Sequence, residues 1–439
     1  MIKANSMKKT IVSFAAILVV AGMVSFTIPA PTLAVAQGQG GDNLTRVLIA
    51  FDKPVGPSEE ALVRAHGGKI KYSYSIVDAI AATIPEKAIE GLSHNPHVAS
   101  IDLDDSVYAV DAELDDSWGV KRIGAGTVHT DPFSPNKGTG VKIGIIDSGV
   151  NYLHPDLNDN FDPTNLGYDF YYYDYDPMDV YGHGTHVAGT ACAEDNDSGV
   201  VGVAPECSLY SLRVLNEDGV GYWSDIIAAV EWSTGATMQI TNVFTGELLT
   251  VQGLKMDVIN LSLGKDRDPG TTVKKAFDNA EAKGVVIVAA AGNSGTVSGK
   301  GKNVIYPAKF ASVIAVAATD SLDKRASFSS TGPEVDLAAP GVSVYSTWND
   351  TTSYSNPQPV CNTSGDCYKY GSGTSMASPH VAGVAALVIR KGVTDLNGIK
   401  GISDEVRQIM TSTTQDLGVA GLDPQYGYGL VNAAAAVVR

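Results

Sequence analysis

An α/β fold, with a mostly parallel sheet and helices on both faces, is what the sequence predicts, and a small α+β module is expected ahead of it. Two observations carry this. From Trp118 onward, short apolar β-branched runs alternate with helical patterns, as parallel strands joined by crossover helices require. Before that, residues 46–103 hold a compact set of strand and helix patterns in the order βαββαβ.

In the module, runs 46–51, 69–74, 79–84 and 98–103 read as strands, and 58–65 and 85–92 as helices. Ser58 is expected to cap the first helix and Gly67-Gly68 to close it. The order fits a ferredoxin-like module. The acidic stretch 104–116 that follows reads as a linker with a cut site. Buried strands are then expected at 141–146, 208–214, 258–262, 285–290 and 313–317. Helices are expected at 183–193, 224–233, 272–283, 375–390 and 404–410. Ligands of such sheets bind beyond the carboxyl ends of the strands, and the candidate reactive residues all fall there.

The N-terminus reads as an export signal. Lys8 and Lys9 precede the apolar run 11–20, and Ala34-Val35-Ala36 supplies an A-x-A cleavage site. Pro29 and Pro31 argue against a retained anchor, and no later stretch is apolar for long enough to span a bilayer. The expected organisation is a signal peptide over 1–36, the small module over 37–110 and the large domain over 111–439, with residues 37–42 a polar, Gly-rich linker. A net charge of −17 argues against nucleic acid or anionic membrane partners. Export permits disulfides, and the four cysteines fall as Cys192 with Cys207 and Cys361 with Cys367, one of three possible connectivities.

Three residues at Gly-flanked element ends carry the chemistry. Asp147 closes the first buried strand before Ser148-Gly149. His183 opens a helix within Gly182-His183-Gly184-Thr185-His186. Two histidines three apart also invite metal, but the zincin pattern needs a glutamate between them and none is there. Ser375 opens another helix after Gly371-Ser372-Gly373-Thr374, with Pro379 expected in its first turn. Unpaired N–H groups and the helix dipole at that start favour a developing oxyanion. A hydroxyl becomes a nucleophile when an imidazole takes its proton, and a buried carboxylate orients the imidazole. The order Asp, His, Ser differs from that of chymotrypsin-type and α/β-hydrolase chains, and no G-x-S-x-G elbow surrounds Ser375.

On these residues the chain resembles the subtilisin-like serine proteases, the subtilase family. The blocks that carry the resemblance are Ile145-Ile146-Asp147-Ser148-Gly149-Val150, His183-Gly184-Thr185-His186-Val187-Ala188-Gly189, Val288-Ala289-Ala290-Ala291-Gly292-Asn293 and Gly373-Thr374-Ser375-Met376-Ala377-Ser378-Pro379-His380. The resemblance implies a subtilisin-like three-layer fold, with Asp147 as orienter, His183 as general base and Ser375 as nucleophile. It gives Asn293 the role of side-chain donor to the oxyanion. Leu261, Ser262, Leu263 and Gly264 resemble the edge that pairs with substrate backbone. Ala290, Ala291 and Gly292, with Val304 and Ile305, would line the pocket for the side chain before the scissile bond, and Lys300 and Lys302 lie nearby in sequence.

The resemblance also implies Ca²⁺, held by the side chains of Asp156 and Asn196 and the carbonyls of Glu194, Ser198 and Val200; no clear ligand is found in 113–116. Asp174, Asp176 and Asp179 are a further candidate for an ion, or else a solvated acidic loop. The small module resembles the inhibitory and chaperoning propeptide, whose uncharged end Val107-Tyr108-Ala109-Val110 would lie in the cleft, with self-cleavage near residues 110 and 111. Segment 235–253 is extra and reads as a hairpin, and loop 354–370 carries the second cysteine pair.

The expectation is therefore a secreted, calcium-stabilised serine endopeptidase, a monomer acting on polypeptides, with its propeptide as partner and no stable membrane association. A catalytically silent binding protein on the same scaffold is disfavoured by the intact Asp147, His183, Ser375 and Asn293 set. A secreted esterase or amidase of another fold is disfavoured by the chain order and the propeptide-like module.

Overall fold

Alternating apolar side chains at Val47, Ile49 and Phe51 turn one face of the first strand inward, where Val63 and Leu92 from two helices cover it. The computed structural model describes residues 44–74, 76–104, 112–349, 359–361, 366–399 and 401–438. The expected export signal and the linker after it, the expected cut near 110 and most of loop 354–370 lie outside them. The chain divides into two units, Met1–Ala109 and Val110–Arg439.

The first unit runs β1 (Leu44–Phe51), α1 (Pro57–Ala65), β2 (Lys69–Ser73), β3 (Ala79–Pro85), α2 (Glu86–Ser93) and β4 (Val98–Leu103), the βαββαβ order expected. Its antiparallel sheet has the order β2-β3-β1-β4. Ser58 does not cap α1. The cap position is Gly56, because Pro57 fits the first helical slot, and Glu59 Oε2 accepts the Gly56 N–H at 2.9 Å. Ser58 donates instead to the Glu59 carboxylate.

The second unit is built on β5 (Lys142–Asp147), β6 (Gly167–Asp169), β7 (Ser208–Arg213), β10 (Val258–Leu261), β11 (Val286–Ala290), β12 (Ile314–Thr319) and β13 (Leu337–Pro340). They form one sheet of order β13-β12-β11-β10-β5-β7-β6, parallel throughout. Its helices of ten residues or more are α3 (His183–Cys192), α4 (Trp223–Trp232), α5 (Thr271–Ala282), α6 (Thr374–Lys391) and α7 (Ser403–Ser412). Period-two alternation sorts the strands onto two cores. Val286 and Val288 of β11 face Val187 and Ala191 of α3 and Val381 and Leu387 of α6 in one core. Ile287 and Ala289 face Ile226 of α4 and Phe277 of α5 in the other. Burying each large aliphatic or aromatic side chain stabilises by about 1.5–3 kcal/mol, so the sheet is held from both faces.

Three features depart from the sequence reading. The edge strands β6 and β13 are three and four residues long and exist through pairing with β7 and β12, not through a pattern of their own. β14 (Val344–Trp348), β15 (Val360–Cys361) and β16 (Cys367–Gly371) form an antiparallel sheet ahead of Ser375. Pro379 is the sixth residue of α6, beyond its first turn. Residues 235–253 do form a hairpin, β8 (Thr237–Thr241) with β9 (Leu248–Gln252), whose Phe244 packs on the rings of Tyr172 and Tyr173. Both expected disulfides are present, Cys192–Cys207 and Cys361–Cys367.

Candidate active site

Asp147 is the last residue of β5 and is fully buried. Its Oδ1 accepts the Ser148 N–H at 2.8 Å and faces His183 Nδ1 at 2.8 Å. Only glycine at 184 allows this approach, since a Cβ there would stand 2.0 Å from the Gly149 carbonyl oxygen. The His183 side chain is 22% exposed, so its outer edge faces the surface. Burial works to lower its pKa, but the charge and hydrogen bond of Asp147, helped by the charge of Asp179, outweigh burial and raise it. His186 differs. Burial pushes its pKa down to about 3, and its Nε2–H is directed at the carbonyls of Val344 and Lys369, which makes it a structural histidine.

Ser375 is the second residue of α6, where a backbone N–H has no partner within the helix. Its hydroxyl donates to the Ser262 carbonyl at 3.1 Å and makes no bond to His183. β5 and β10 are neighbours, so the Asp147–His183 pair and the Ser262–Ser375 pair lie at adjoining strand ends. The Ser262 hydroxyl donates to the Ser375 carbonyl at 2.7 Å and also meets Ser378 Oγ at 2.8 Å. In a regular helix the N–H of residue 379 would fill that carbonyl, and proline has none.

Asn293 follows β11. Its Oδ1 accepts both the N–H and the hydroxyl of Thr374, at 2.9 and 3.0 Å. Those donors fix which end of the amide is oxygen, and its NH₂, on an exposed side chain, has no partner among the described residues. Leu261 and Ser262 are buried, Leu263 is half-buried and Gly264 is exposed. Lys265 pairs with Tyr306 on one side of that segment. Ala290, Ala291 and Gly292 are buried, main chain included, so they lie beneath the surface here. Gly292, at φ 106°, lies against Ile305, while Val304 is in the core.

The loop 194–200 wraps Asp156. The Glu194 N–H donates to the Asp156 carbonyl at 2.8 Å and the Val200 N–H to Asp156 Oδ2 at 3.1 Å. Asp156 Oδ1 is buried without a partner among the described residues, and burial raises the carboxyl to about 6. Asn196 reaches the Pro155 carbonyl, and its own Oδ1 accepts the Ser198 N–H. The sequence reading found no ligand in 113–116. The structure brings the buried Glu113 carboxylate to this loop, on the Ser198 N–H, with its pKa raised by burial to about 7. The resemblance points to the stretch 113–116 without a clear match there, and it is the fold that singles out Glu113 by bringing it to Ser198. Among the described residues no three acidic, His or Cys side chains gather as a metal cage.

Asp174, Asp176 and Asp179 do not converge on an ion. Asp174 accepts the Asp176 N–H, Asp176 accepts the Tyr152 hydroxyl, and both oxygens of buried Asp179 are filled by protein donors.

The Subtilase family matches residues 138–429. The chain is a subtilase. It is 36% identical to subtilisin J of Geobacillus stearothermophilus over 94% of this chain and 95% of that protein. It is 39% identical to subtilisin E of Bacillus subtilis (strain 168), over 85% and 84%. Against subtilisin DY of Bacillus licheniformis the identity is 43% over 73% of this chain and 97% of the relative. This subtilase is a serine endopeptidase of the subtilisin type. Among its described residues no helix is long and apolar enough to cross a membrane.

Proposed function

We propose that this endopeptidase cuts polypeptides through an acyl-enzyme formed on Ser375, with His183 as base, Asp147 as orienter and Asn293 as oxyanion donor. The 2.8 Å bond between His183 Nδ1 and Asp147 Oδ1 carries this reading, because it fixes the tautomer that leaves Nε2 free to take a proton. The Ser375 hydroxyl leaves the Ser262 carbonyl and turns to His183, and its oxygen attacks the scissile carbon. The oxyanion is met by the Asn293 NH₂ and the Ser375 N–H, both free before substrate arrives. His183 passes its proton to the leaving amine, and water then repeats the sequence on the ester. Leu261, Ser262, Leu263 and Gly264 pair with the extended substrate, and Ala290, Ala291 and Gly292 back the pocket before the cut.

The same reading includes export, a propeptide over 37–110 and Ca²⁺. The unpartnered buried Asp156 Oδ1, near a second buried carboxylate, fits a hard cation that takes several oxygens. Asp156, Glu113 and Asn196 would hold it with the carbonyls of Glu194, Ser198 and Val200, and it would pin the loop. The test is Ser375→Ala. Purified without other proteases, the variant chain folds and stays uncut, while the natural chain splits near residue 110. Equal splitting of both defeats self-cleavage, and retained peptide hydrolysis in the variant defeats the nucleophile.

A further inference from the structure

His183 has glycine on both sides, and the cap position before it is Gly182 at φ 99°, with no side chain to anchor the helix start. Its register against Asp147 must therefore be held from elsewhere. One carboxylate gathers the donors of this turn. Asp179 Oδ1 accepts the N–H groups of Tyr181 and Gly182 at 2.9 and 2.8 Å, and Oδ2 accepts the N–H and hydroxyl of Thr185 at 2.9 and 2.6 Å. Burial raises the Asp179 carboxyl, while the donors from Thr185, Gly182 and Tyr181 pull it down and favour the anion, the form that suits the N-terminus of α3. The fifth donor comes from the strand side. Ser148 Oγ donates to Asp179 Oδ1 at 2.9 Å and accepts the Gly184 N–H at 3.0 Å. Ser148 is the residue after Asp147, and Gly184 the residue after His183. The neighbours of both partners are therefore clamped to each other and to Asp179.

We propose that Asp179 is a positioning residue for proteolysis, holding Asp147 and His183 in register through Ser148 and the first turn of α3. The inference rests on the triad reading of Asp147, His183 and Ser375. Four charged or titratable groups bear on His183: Asp147 from β5, Asp179 from the preceding loop, His186 on its own helix and Lys369 from β16. A helix cap that served stability alone would leave turnover per folded molecule untouched. A register clamp would not, since a displacement near 1 Å at reacting groups lowers rates by about 10²-fold.

The experiment compares peptide hydrolysis by the full natural chain with Asp179→Asn, Ser148→Ala and Ser375→Ala, with rates normalised to folded protein by circular dichroism. Asp179→Asn should lower kcat by about tenfold or more with KM within about twofold, and move the acid limb of kcat/KM to lower pH. Ser148→Ala should lower kcat without moving that limb, since it removes no charge. The double variant should be little worse than Asp179→Asn, because both act through one linkage. Unchanged kcat and an unchanged limb in Asp179→Asn, with only a lower melting temperature, overturn the proposal. If Asp179→Asn does not fold, wild-type kcat in Ser148→Ala overturns it. Activity surviving in Ser375→Ala would instead sink the triad reading, so the two failures are separable.

Discussion

The Ser262 hydroxyl donates at 2.7 Å to the carbonyl oxygen of Ser375, the acceptor that Pro379, four residues on, has no N–H to fill. The Ser262 carbonyl in turn accepts the Ser375 hydroxyl. One residue therefore brackets the nucleophile, through its side chain and its main chain.

Ser262→Ala should lower stability by about 1–3 kcal/mol, the range for leaving a buried acceptor unsatisfied, and should lower kcat more than it raises KM. Adding Pro379→Ala should recover part of the stability, because alanine restores the missing N–H. Denaturant unfolding of the two single variants and the double reads this directly. Additive losses would contradict it.

Asn293→Leu should keep KM near wild type and lower kcat by roughly 10²–10³, the loss known for this donor in a subtilisin of the same family. Steady-state kinetics on one peptide substrate decide it.

With His183 read as the base, its raised pKa should set the pH dependence. Catalysis needs the neutral imidazole, so kcat/KM should rise with pH through a limb above the ordinary value of about 6.5. Asp147→Asn should lower that limb and cut kcat by about 10⁴. The stability contribution runs the other way. The imidazolium–Asp147 pair stabilises the fold fully below about 6.5 and loses that contribution as pH rises through the raised folded value. Rate and unfolding measured across one pH series check both signs.

Excess chelator should lower the unfolding temperature of the mature enzyme, and Asp156→Ala should abolish the difference between chelated and calcium-loaded protein. Calorimetry with and without calcium tests this; an unchanged transition would remove calcium from the reading.

Much of this was legible in the sequence, for physical reasons. Parallel strands buried on both faces leave long apolar signals, and β5, β7, β10, β11 and β12 all lie where those signals stand. Asp147, His183, Asn293 and Ser375 occur at Gly-marked element ends, which a linear reading can find. Ser148, Asp179 and Glu113 could not be assigned in that way. Their partners are Gly184, Thr185 and Ser198, and what unites each pair is a hydrogen bond made by folding. Pro379 was misplaced by a few residues because α6 begins at Thr374 and the proline's missing N–H is compensated by Ser262, distant in sequence.

Glu113 stands four residues inside the boundary between the two units at Ala109 and Val110, yet its carboxylate holds the Ser198 N–H of the loop around Asp156. That clasp belongs to a chain end in any molecule cut near 110. An aminopeptidase that removed the next four residues would take away this clasp, leaving the loop to its Asp156 bonds, with Asp147, His183 and Ser375 untouched. In a molecule cut there, trimming of the new end should therefore shorten survival among other proteases, which a time course of activity with added aminopeptidase would read.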